Sequence, residues 1–275
     1  SFEYMRAETI AQAATCCGKP ETLAIAGGTN LVDLMKLQVE TPKRLVDLNG
    51  LDDRGILETE GGLRIAALAS NTQVASDQRI RADYPVLAKA ILAGATQQLR
   101  NAASVGGNLC QRTRCPYFTK IDQPCNKREP GSGCGAIIGV ARIHAILGAS
   151  QHCIATYPGD MAVAMAALNA QVELVGPDDT SRTVAVREFH RCPGDLPDHD
   201  NILARGELVI GVHLPAPVSG MQFYRKVRER SSYAFALCSV AAIVDMSDGR
   251  ITRADLAFGS IAPKPWIDDR LAQLL

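Results

Sequence analysis

Five cysteines lie within the 44 residues from Cys110 to Cys153, in a stretch that is also rich in proline and glycine. Prolines break helices and remove hydrogen bonds from strands, so we expect no regular secondary structure between residues 110 and 135. A loop of that length is uncommon in a compact domain and is usually functional. The fold must therefore carry a long cysteine-rich loop on an otherwise regular scaffold.

The nine cysteines of the chain fit metal or redox chemistry better than disulfide bonds. A chain of 275 residues can bury a sizeable core and does not need covalent cross-links for stability. Its first residues show no charged-then-apolar secretory signal, and clustered cysteines in such a chain usually hold a metal or perform redox chemistry. We therefore expect a metal or iron–sulfur centre in the loop.

Four of the loop cysteines are spaced widely. Nine, eight and eighteen residues separate Cys115, Cys125, Cys134 and Cys153. Four thiolates satisfy either a tetrahedral zinc ion or a [4Fe–4S] cluster, but structural zinc sites usually contain a close C-x₂₋₄-C pair. Cys110 is close enough to replace any one of the four. The spacing favours iron–sulfur, and zinc remains the alternative.

Basic and histidine side chains beside the loop have more than one interpretation. Four basic residues would either offset the charge of a thiolate-bound cluster or form a solvated basic face: Arg112, Arg114, Lys127 and Arg128. His152 lies beside Cys153 and would be a ligand, a hydrogen-bond partner or, in the interpretation that we favour, a structural histidine. No Ser-His-Asp or Cys-His arrangement and no H-E-x-x-H motif supports hydrolysis, so we assign no catalytic residue.

Two glycine turns resemble each other in composition, AGGTN at residues 26–30 and SVGGN at residues 104–108. The first follows a predicted strand and precedes a helical pattern, so its free backbone N–H groups would favour a phosphate. Neither turn matches the G-x-G-x-x-G or the G-x-x-x-x-G-K-[ST] motif. Two independent tight turns are one interpretation, and one extended ligand gripped between them is the other.

The balance of charge excludes several function classes. Lys and Arg total 29, as do Asp and Glu, and a formal net charge of zero argues against a nucleic-acid partner. No apolar run reaches the roughly 18 residues needed to cross a bilayer. We therefore expect a globular protein without a membrane span.

Hydrophobic periodicity predicts a mixture of helices and strands. Helices are predicted over residues 9–17, 30–37, 85–99 and 160–170, and strands over residues 23–26, 44–48, 63–67 and 171–175. Residues 55–58 should pair with 63–67 in a hairpin, and the prolines at residues 215 and 217 indicate a boundary.

Several segments, in order, resemble the medium, FAD-binding subunit of the xanthine dehydrogenase family of molybdenum hydroxylases. They are FEY at 2–4, IAGGTNL at 25–31, ASVGGNL at 103–109, GDMA at 159–162, FYRKV at 223–227 and GSIAPKP at 259–265. The resemblance implies the α+β class, with a two-subdomain α/β FAD-binding domain of the PCMH/CO dehydrogenase flavoprotein type and a small α+β C-terminal domain with an antiparallel sheet. The implied FAD-binding subdomains are residues 1–56 and residues 57–217, and the second contains the iron–sulfur loop at 110–153. The implied C-terminal domain is residues 218–275, and we expect it to be incomplete.

The cysteine loop is similar to the bacterial aldehyde oxidoreductase branch of that family, whereas most members lack it. The similar segments are QRTRCPYF at 111–118, CNKREPGSGC at 125–134 and HCIAT at 152–156. The resemblance implies an additional [4Fe–4S] cluster bound by Cys115, Cys125, Cys134 and Cys153. It places Cys110 at a position that is not a ligand.

The same resemblance implies which residues bind FAD. The first loop comprises Ile25, Ala26, Gly27, Gly28, Thr29, Asn30 and Leu31. The second loop comprises Ser104, Val105, Gly106, Gly107 and Asn108. Asp160 and Lys226 match an acidic and a basic residue near the flavin.

The implied function is electron transfer within a heterotrimeric, molybdenum-dependent aldehyde oxidoreductase. A large molybdopterin-binding subunit oxidises the aldehyde, a small subunit carries two [2Fe–2S] clusters, and electrons leave FAD on this chain for an external acceptor. FAD supplies the redox chemistry, so this chain needs no nucleophile. We expect it to fold in the cytoplasm, and export to the periplasm with a partner subunit stays open. The alternatives are a zinc-stabilised binding or scaffold module and a stand-alone flavin oxidase.

Overall fold

A computed structural model describes residues 1–272, so residues 273–275 of the predicted C-terminal domain lie outside the described part. The N-terminal elements are β1 (Glu3–Arg6), α1 (Ile10–Cys17), β2 (Thr22–Ile25), α2 (Leu31–Lys36) and β3 (Arg44–Asp47). The three strands form a parallel sheet in the order β1-β3-β2. Parallel strands need crossover connections, which the two helices supply. The elements predicted here are confirmed.

A five-stranded antiparallel sheet follows. Its strands are β4 (Ile56–Thr59), β5 (Gly62–Ala66), β6 (Gln171–Val175), β7 (Ser181–Ala185) and β8 (Leu208–Leu214). They lie in the order β4-β5-β8-β6-β7. The predicted hairpin is confirmed, because β4 pairs with β5 from Ile56 opposite Ile65 to Thr59 opposite Gly62.

Short helices connect the strands of this sheet and cover it. They are α3 (Asn71–Ser76), α4 (Gln78–Asp83), α5 (Pro85–Ala93), α6 (Gln97–Ala102), α7 (Val105–Leu109), α8 (Pro116–Thr119), α9 (Gly135–Ile138), α10 (Asp160–Ala167) and α11 (Val186–Phe189). Helices α5 and α10 form the centre of the main core with Leu87, Met161 and Met165. The expectation of no regular secondary structure between residues 110 and 135 is wrong at α8, where Pro116 occupies the first helical position that proline tolerates, and at Gly135, where α9 begins.

The single helix predicted over residues 85–99 is wrong. Helix α5 ends at Ala93, because Gly94 leaves the helical conformation with φ −78° and ψ −132°. Thr96 then caps α6 by accepting a hydrogen bond from the backbone N–H of Leu99. A glycine and a capping threonine outweigh the continuous apolar pattern.

The C-terminal part is a three-stranded antiparallel sheet, as expected. Its strands are β9 (Met221–Val227), β10 (Cys238–Ser247) and β11 (Arg250–Gly259), and the short helix α12 (Asp269–Ala272) follows. Ala241, Ile243 and Ala257 face the main core, so this sheet packs on α5 and α10. Over residues 1–272, no helix has the length and apolar character required to span a membrane.

Candidate functional site

The first glycine turn lies between β2 and α2, where backbone packing admits little but glycine. A Cβ at Gly27 would overlap the carbonyl oxygen of Ala102 at the end of α6. Gly28 has a φ of +70°, the left-handed conformation that glycine adopts without steric cost. The turn is therefore held tightly against the end of α6.

The second glycine turn forms the start of α7. The Oγ of Ser104 accepts a hydrogen bond from the N–H of Gly107 at 3.2 Å and so caps the helix. A Cβ at Gly106 would lie 3.1 Å from the Cβ of Ala67. Because Gly27 packs on Ala102, two residues before Ser104, the structure brings the two turns side by side.

Two cavities open from the paired turns. The N-terminal cavity, of ≈ 690 Å³, is lined by β2, α2 and the start of β8. The C-terminal cavity, of ≈ 700 Å³, is lined by Gly94, Asp160, Lys226 and residues that follow β9. Asn30 and Gly107 line both cavities, so one residue from each turn lies at the boundary between the two cavities, which we call the waist.

Most of the sequence-predicted FAD-binding residues line these two cavities. The N-terminal cavity has Ala26, Asn30, Leu31, Ser104, Gly106 and Gly107 in its wall. The C-terminal cavity has Thr29, Asn30, Gly107, Asn108, Asp160 and Lys226. Gly27 lines a smaller neighbouring cavity of ≈ 440 Å³, and Ile25, Gly28 and Val105 line none of these three cavities.

Asp160 and Lys226 form a buried ion pair at the base of the C-terminal cavity. Asp160 lies in the first turn of α10, and its Oδ2 accepts a hydrogen bond from the Nζ of Lys226 at 2.8 Å. The two side chains are only 10% and 5% exposed. A charge buried this deeply requires a partner, and each supplies one for the other.

Tyr224 completes this group and is the residue that sequence reasoning missed. Its hydroxyl donates to Asp160 Oδ1 at 2.5 Å. Burial, reinforced by the charge of Asp160, raises the pKa of Tyr224, so the hydroxyl stays protonated. Tyr224 precedes Lys226 by two residues in β9, and side chains two apart share one face of a strand. The two-residue spacing between Tyr224 and Lys226 is the feature of the sequence that could have identified Tyr224.

Arg114 lines the wall of the C-terminal cavity rather than a solvated face. Its guanidinium lies 5.0 Å from the ring centre of Phe235. Burial lowers the pKa of Arg114, and its Nε has no hydrogen-bond partner among residues 1–272. A donor of this kind, buried and free, is suited to an acceptor group on a ligand.

The four predicted cluster ligands share one small apolar core. Cys115, Cys125, Cys134 and Cys153 pack together there, and each is a free thiol. Burial raises the pKa of Cys115 to about 11, and the neighbouring Cys125 and Cys153 add to the shift. Cys110 packs against the main core instead. Over residues 1–272, no three Cys, His, Asp or Glu side chains converge on a point as the ligands of a single metal ion do.

The histidines near these thiols differ in position. His144 is buried, with its Nε2 3.2 Å from the Sγ of Cys115, a contact that the sequence did not reveal. His152 is half-exposed and has its Nε2 3.5 Å from Asp195 Oδ1. The ring of His152 therefore lies beside an exposed carboxylate, and its structural role stays a prediction.

The remaining basic residues of the loop are also engaged. Lys127 is buried and donates to Asp200 Oδ1 and the Pro197 carbonyl at 2.5 and 2.6 Å. Arg128 donates to backbone carbonyls within the loop. Arg112 pairs with Asp200 and Glu40 at 2.5 Å each. The solvated basic face is therefore the wrong interpretation.

Comparisons with known proteins agree with this architecture. Residues 1–217 match the FAD binding domain in molybdopterin dehydrogenase, and residues 222–275 match the CO dehydrogenase flavoprotein C-terminal domain. The chain is 52% identical over 269 residues to the aldehyde oxidoreductase FAD-binding subunit PaoB of Escherichia coli (strain K12), an alignment that covers 97% of this chain and 83% of that protein. It is 24% identical over 273 residues to the carbon monoxide dehydrogenase medium chain of Afipia carboxidovorans, covering 98% and 78%.

The fold has solved relatives as well. Reconstituted CO dehydrogenase from Oligotropha carboxidovorans superposes with a TM-score of 0.76 at 24% identity, over 100% of this chain and 80% of that chain. The quinoline 2-oxidoreductase of Pseudomonas putida 86 gives a TM-score of 0.71 at 22% identity, over 96% and 76%. These likenesses concern the fold alone.

Proposed function

The chain belongs to the family of FAD-binding subunits of molybdenum hydroxylases, and on that premise we propose that it carries FAD and a [4Fe–4S] cluster in an aldehyde oxidoreductase. The observation that carries this proposal is the waist between the two cavities. Two cavities of similar size that meet between glycine turns fit a long ligand with a phosphate-containing middle.

The residues at the waist fit the FAD pyrophosphate. Gly106 and Gly107 lie in the cavity walls and, as glycines, let the backbone come close to a ligand. The Nδ2 of Asn30 is buried there without a hydrogen-bond partner among the described residues. FAD, when bound, supplies electron transfer, and the chain's residues position it.

The flavin end of FAD belongs, in this proposal, in the C-terminal cavity. The ion pair of Asp160 and Lys226 forms its base, and the Tyr224 hydroxyl holds the carboxylate of Asp160 in one orientation. Arg114 lines the same cavity and offers its Nε, which has no partner among residues 1–272. These groups orient the ring system by hydrogen bonds and leave no role for a nucleophile.

The four clustered thiols are the proposed ligands of the [4Fe–4S] cluster. Soft thiolates suit iron–sulfur clusters, and a four-iron cube needs ligands further apart than one ion does. The four thiols share one small core, and the part of the chain that the structure describes holds no group of side chains placed for a single metal ion, so the cluster is proposed from the clustering of the thiols and the softness of thiolate ligands. Cys110 packs in another part of the core, which supports its exclusion from the ligand set.

The partners are proposed from the family. We expect a large molybdopterin-binding subunit, a small subunit with two [2Fe–2S] clusters and an external electron acceptor, in a heterotrimer that oxidises aldehydes. PaoB is named as a subunit of an aldehyde oxidoreductase. Folding and cofactor uptake would take place in the cytoplasm, before any export with a partner subunit.

An absorption spectrum of the purified chain, with iron, zinc and acid-labile sulfide quantified, tests the proposal. Flavin bands and about four irons and four sulfides per chain are expected. Cys125→Ser should lose most of the iron, whereas the matched variant Cys110→Ser should keep it. Zinc without flavin would overturn the proposal, and flavin without iron would remove its iron–sulfur part.

A further inference from the structure

Asn30 occupies the capping position of α2, yet it does not cap the helix. Asparagine at this position commonly accepts a hydrogen bond from a backbone N–H of the first helical turn. Here Asn30 makes no such bond. Its Oδ1 accepts instead from the backbone N–H of Arg112, 82 residues away, at 2.9 Å. This bond turns the side chain away from its own helix.

The bond from Arg112 also fixes the orientation of the other end of the Asn30 amide, the Nδ2 group. With Oδ1 occupied, the Nδ2 group of Asn30 is buried at the waist and has no acceptor within residues 1–272. A buried donor without a partner costs free energy, which a ligand acceptor at that place would recover. The orientation of Asn30 is thus set by the cysteine loop and directed to the waist.

Arg112 is itself firmly anchored. Its Nε lies 2.5 Å from Asp200 Oδ2, and its Nη1 lies 2.5 Å from Glu40 Oε1. The guanidinium stacks 4.9 Å from the ring centre of Phe118 in α8. Asp200 is held in turn by the buried Lys127. Two distant segments, at Glu40 and Asp200, together with the nearby Phe118 therefore hold the guanidinium of Arg112 in place.

We propose that Arg112 is a positioning residue for the FAD site, which holds Asn30 so that its amide donates to the bound cofactor at the waist. The cysteine loop then serves a second purpose beside holding thiols, since its first residues order the cofactor site. This inference rests on the proposed function, because it needs FAD at the waist.

The test is a double-mutant cycle on the dissociation constant of FAD. The full chain is depleted of flavin and titrated with FAD by fluorescence quenching, while its thermal midpoint is recorded. Arg112→Gln and Asn30→Ala should each weaken binding about tenfold, the loss of one hydrogen bond to a charged group. The double variant should be no more than about twofold weaker than either single variant, because Arg112→Gln keeps the backbone N–H and acts only through the Asn30 amide that Asn30→Ala removes.

Two further variants keep the result interpretable. Asp200→Asn weakens the hold on the Arg112 guanidinium from a residue that lines neither cavity. It should also weaken FAD binding, and it tests the inference if Arg112→Gln fails to fold. Arg253→Gln changes an arginine of β11 that pairs with Asp245 and Asp255 and lines neither cavity, so it should leave the dissociation constant unchanged.

The possible failures are distinguishable. A wild-type chain that does not bind FAD would overturn the proposed function. A wild-type chain that binds FAD, with Arg112→Gln and Asp200→Asn equal to it, would overturn this inference alone. Multiplicative effects in the double variant, about a hundredfold, would show that Arg112 does not act through Asn30.

Discussion

Gly27 is the residue at which the turn and α6 approach most closely. Gly27→Ala places a Cβ on the Ala102 carbonyl oxygen, which belongs to backbone and cannot rotate away. We expect a loss of about 1–3 kcal/mol or more in the free energy of unfolding, as in overpacked cores, together with weaker FAD binding. Gly61→Ala is the matched control, since nothing lies within 4 Å of its Cβ. Denaturant titration of both variants measures the difference, and equal midpoints would contradict the expectation.

His190 makes the stability of the second turn dependent on pH. Its ring is buried, with Nε2 2.9 Å from the carbonyl of Leu109, the last residue of α7, and Nδ1 has no partner in the described chain. Burial lowers the pKa of His190 to about 4, from 6.5 in the unfolded chain. Protonation would bury a charge and an unpaired N–H.

The lowered pKa of His190 determines the direction in which the stability of the chain changes with pH. Between pH 6.5 and about 4 the unfolded chain binds a proton that the folded chain does not, so stability is full above pH 6.5 and falls as the pH falls. The contribution is about 3 kcal/mol over that window. In His190→Gln, the free energy of unfolding should lose about 3 kcal/mol of its change over this pH window. Parallel profiles for the two proteins would contradict the prediction.

At the scale of elements, the break between α5 and α6 has a purpose that periodicity could not show. Helix α5 ends at Ala93, whose carbonyl accepts hydrogen bonds from Lys226 Nζ at 3.1 Å and Arg228 Nη1 at 3.4 Å. Terminal carbonyls of a helix lack partners of their own and attract cations. A helix continuing to residue 99 would have used that carbonyl itself, so the C-terminal sheet is fastened to the end of α5.

The ion pair of Asp160 and Lys226 fastens the same sheet to α10. Lys226→Met should destabilise the chain by about 3–5 kcal/mol, because it leaves a buried carboxylate without its counter-ion. The double variant with Asp160→Asn should recover part of that loss.

The single tryptophan, Trp266, pairs with β11 and reports unfolding by fluorescence. Lys43→Met, in an exposed pair with Glu21, should cost less than about 1 kcal/mol. Equal costs for the two lysine variants would refute the assignment.

At the scale of the whole molecule, hydrophobic periodicity could predict a mixture of helices and strands, whereas the antiparallel C-terminal sheet could be predicted only from the family resemblance. Those features are carried by short contiguous segments. The long-range contacts could not be predicted: Asn30 meets Arg112, and Tyr224 meets Asp160. Such pairs depend on how the three sheets pack, which local patterns do not encode. The predicted site residues Ile25, Gly28 and Val105 proved to lie outside the cavity walls for the same reason.

The waist between the two cavities has a thermodynamic consequence for a ligand that passes through it. ADP and riboflavin, the two parts of FAD, should each bind weakly in a separate cavity and should not compete with each other, although FAD displaces both. Joining them makes the second contact intramolecular, at an effective concentration of about millimolar for a short flexible link. Calorimetric titration of ADP with and without saturating riboflavin measures this independence, and mutual exclusion would contradict it. The affinity of the whole cofactor would then come from a chelate effect that each half lacks.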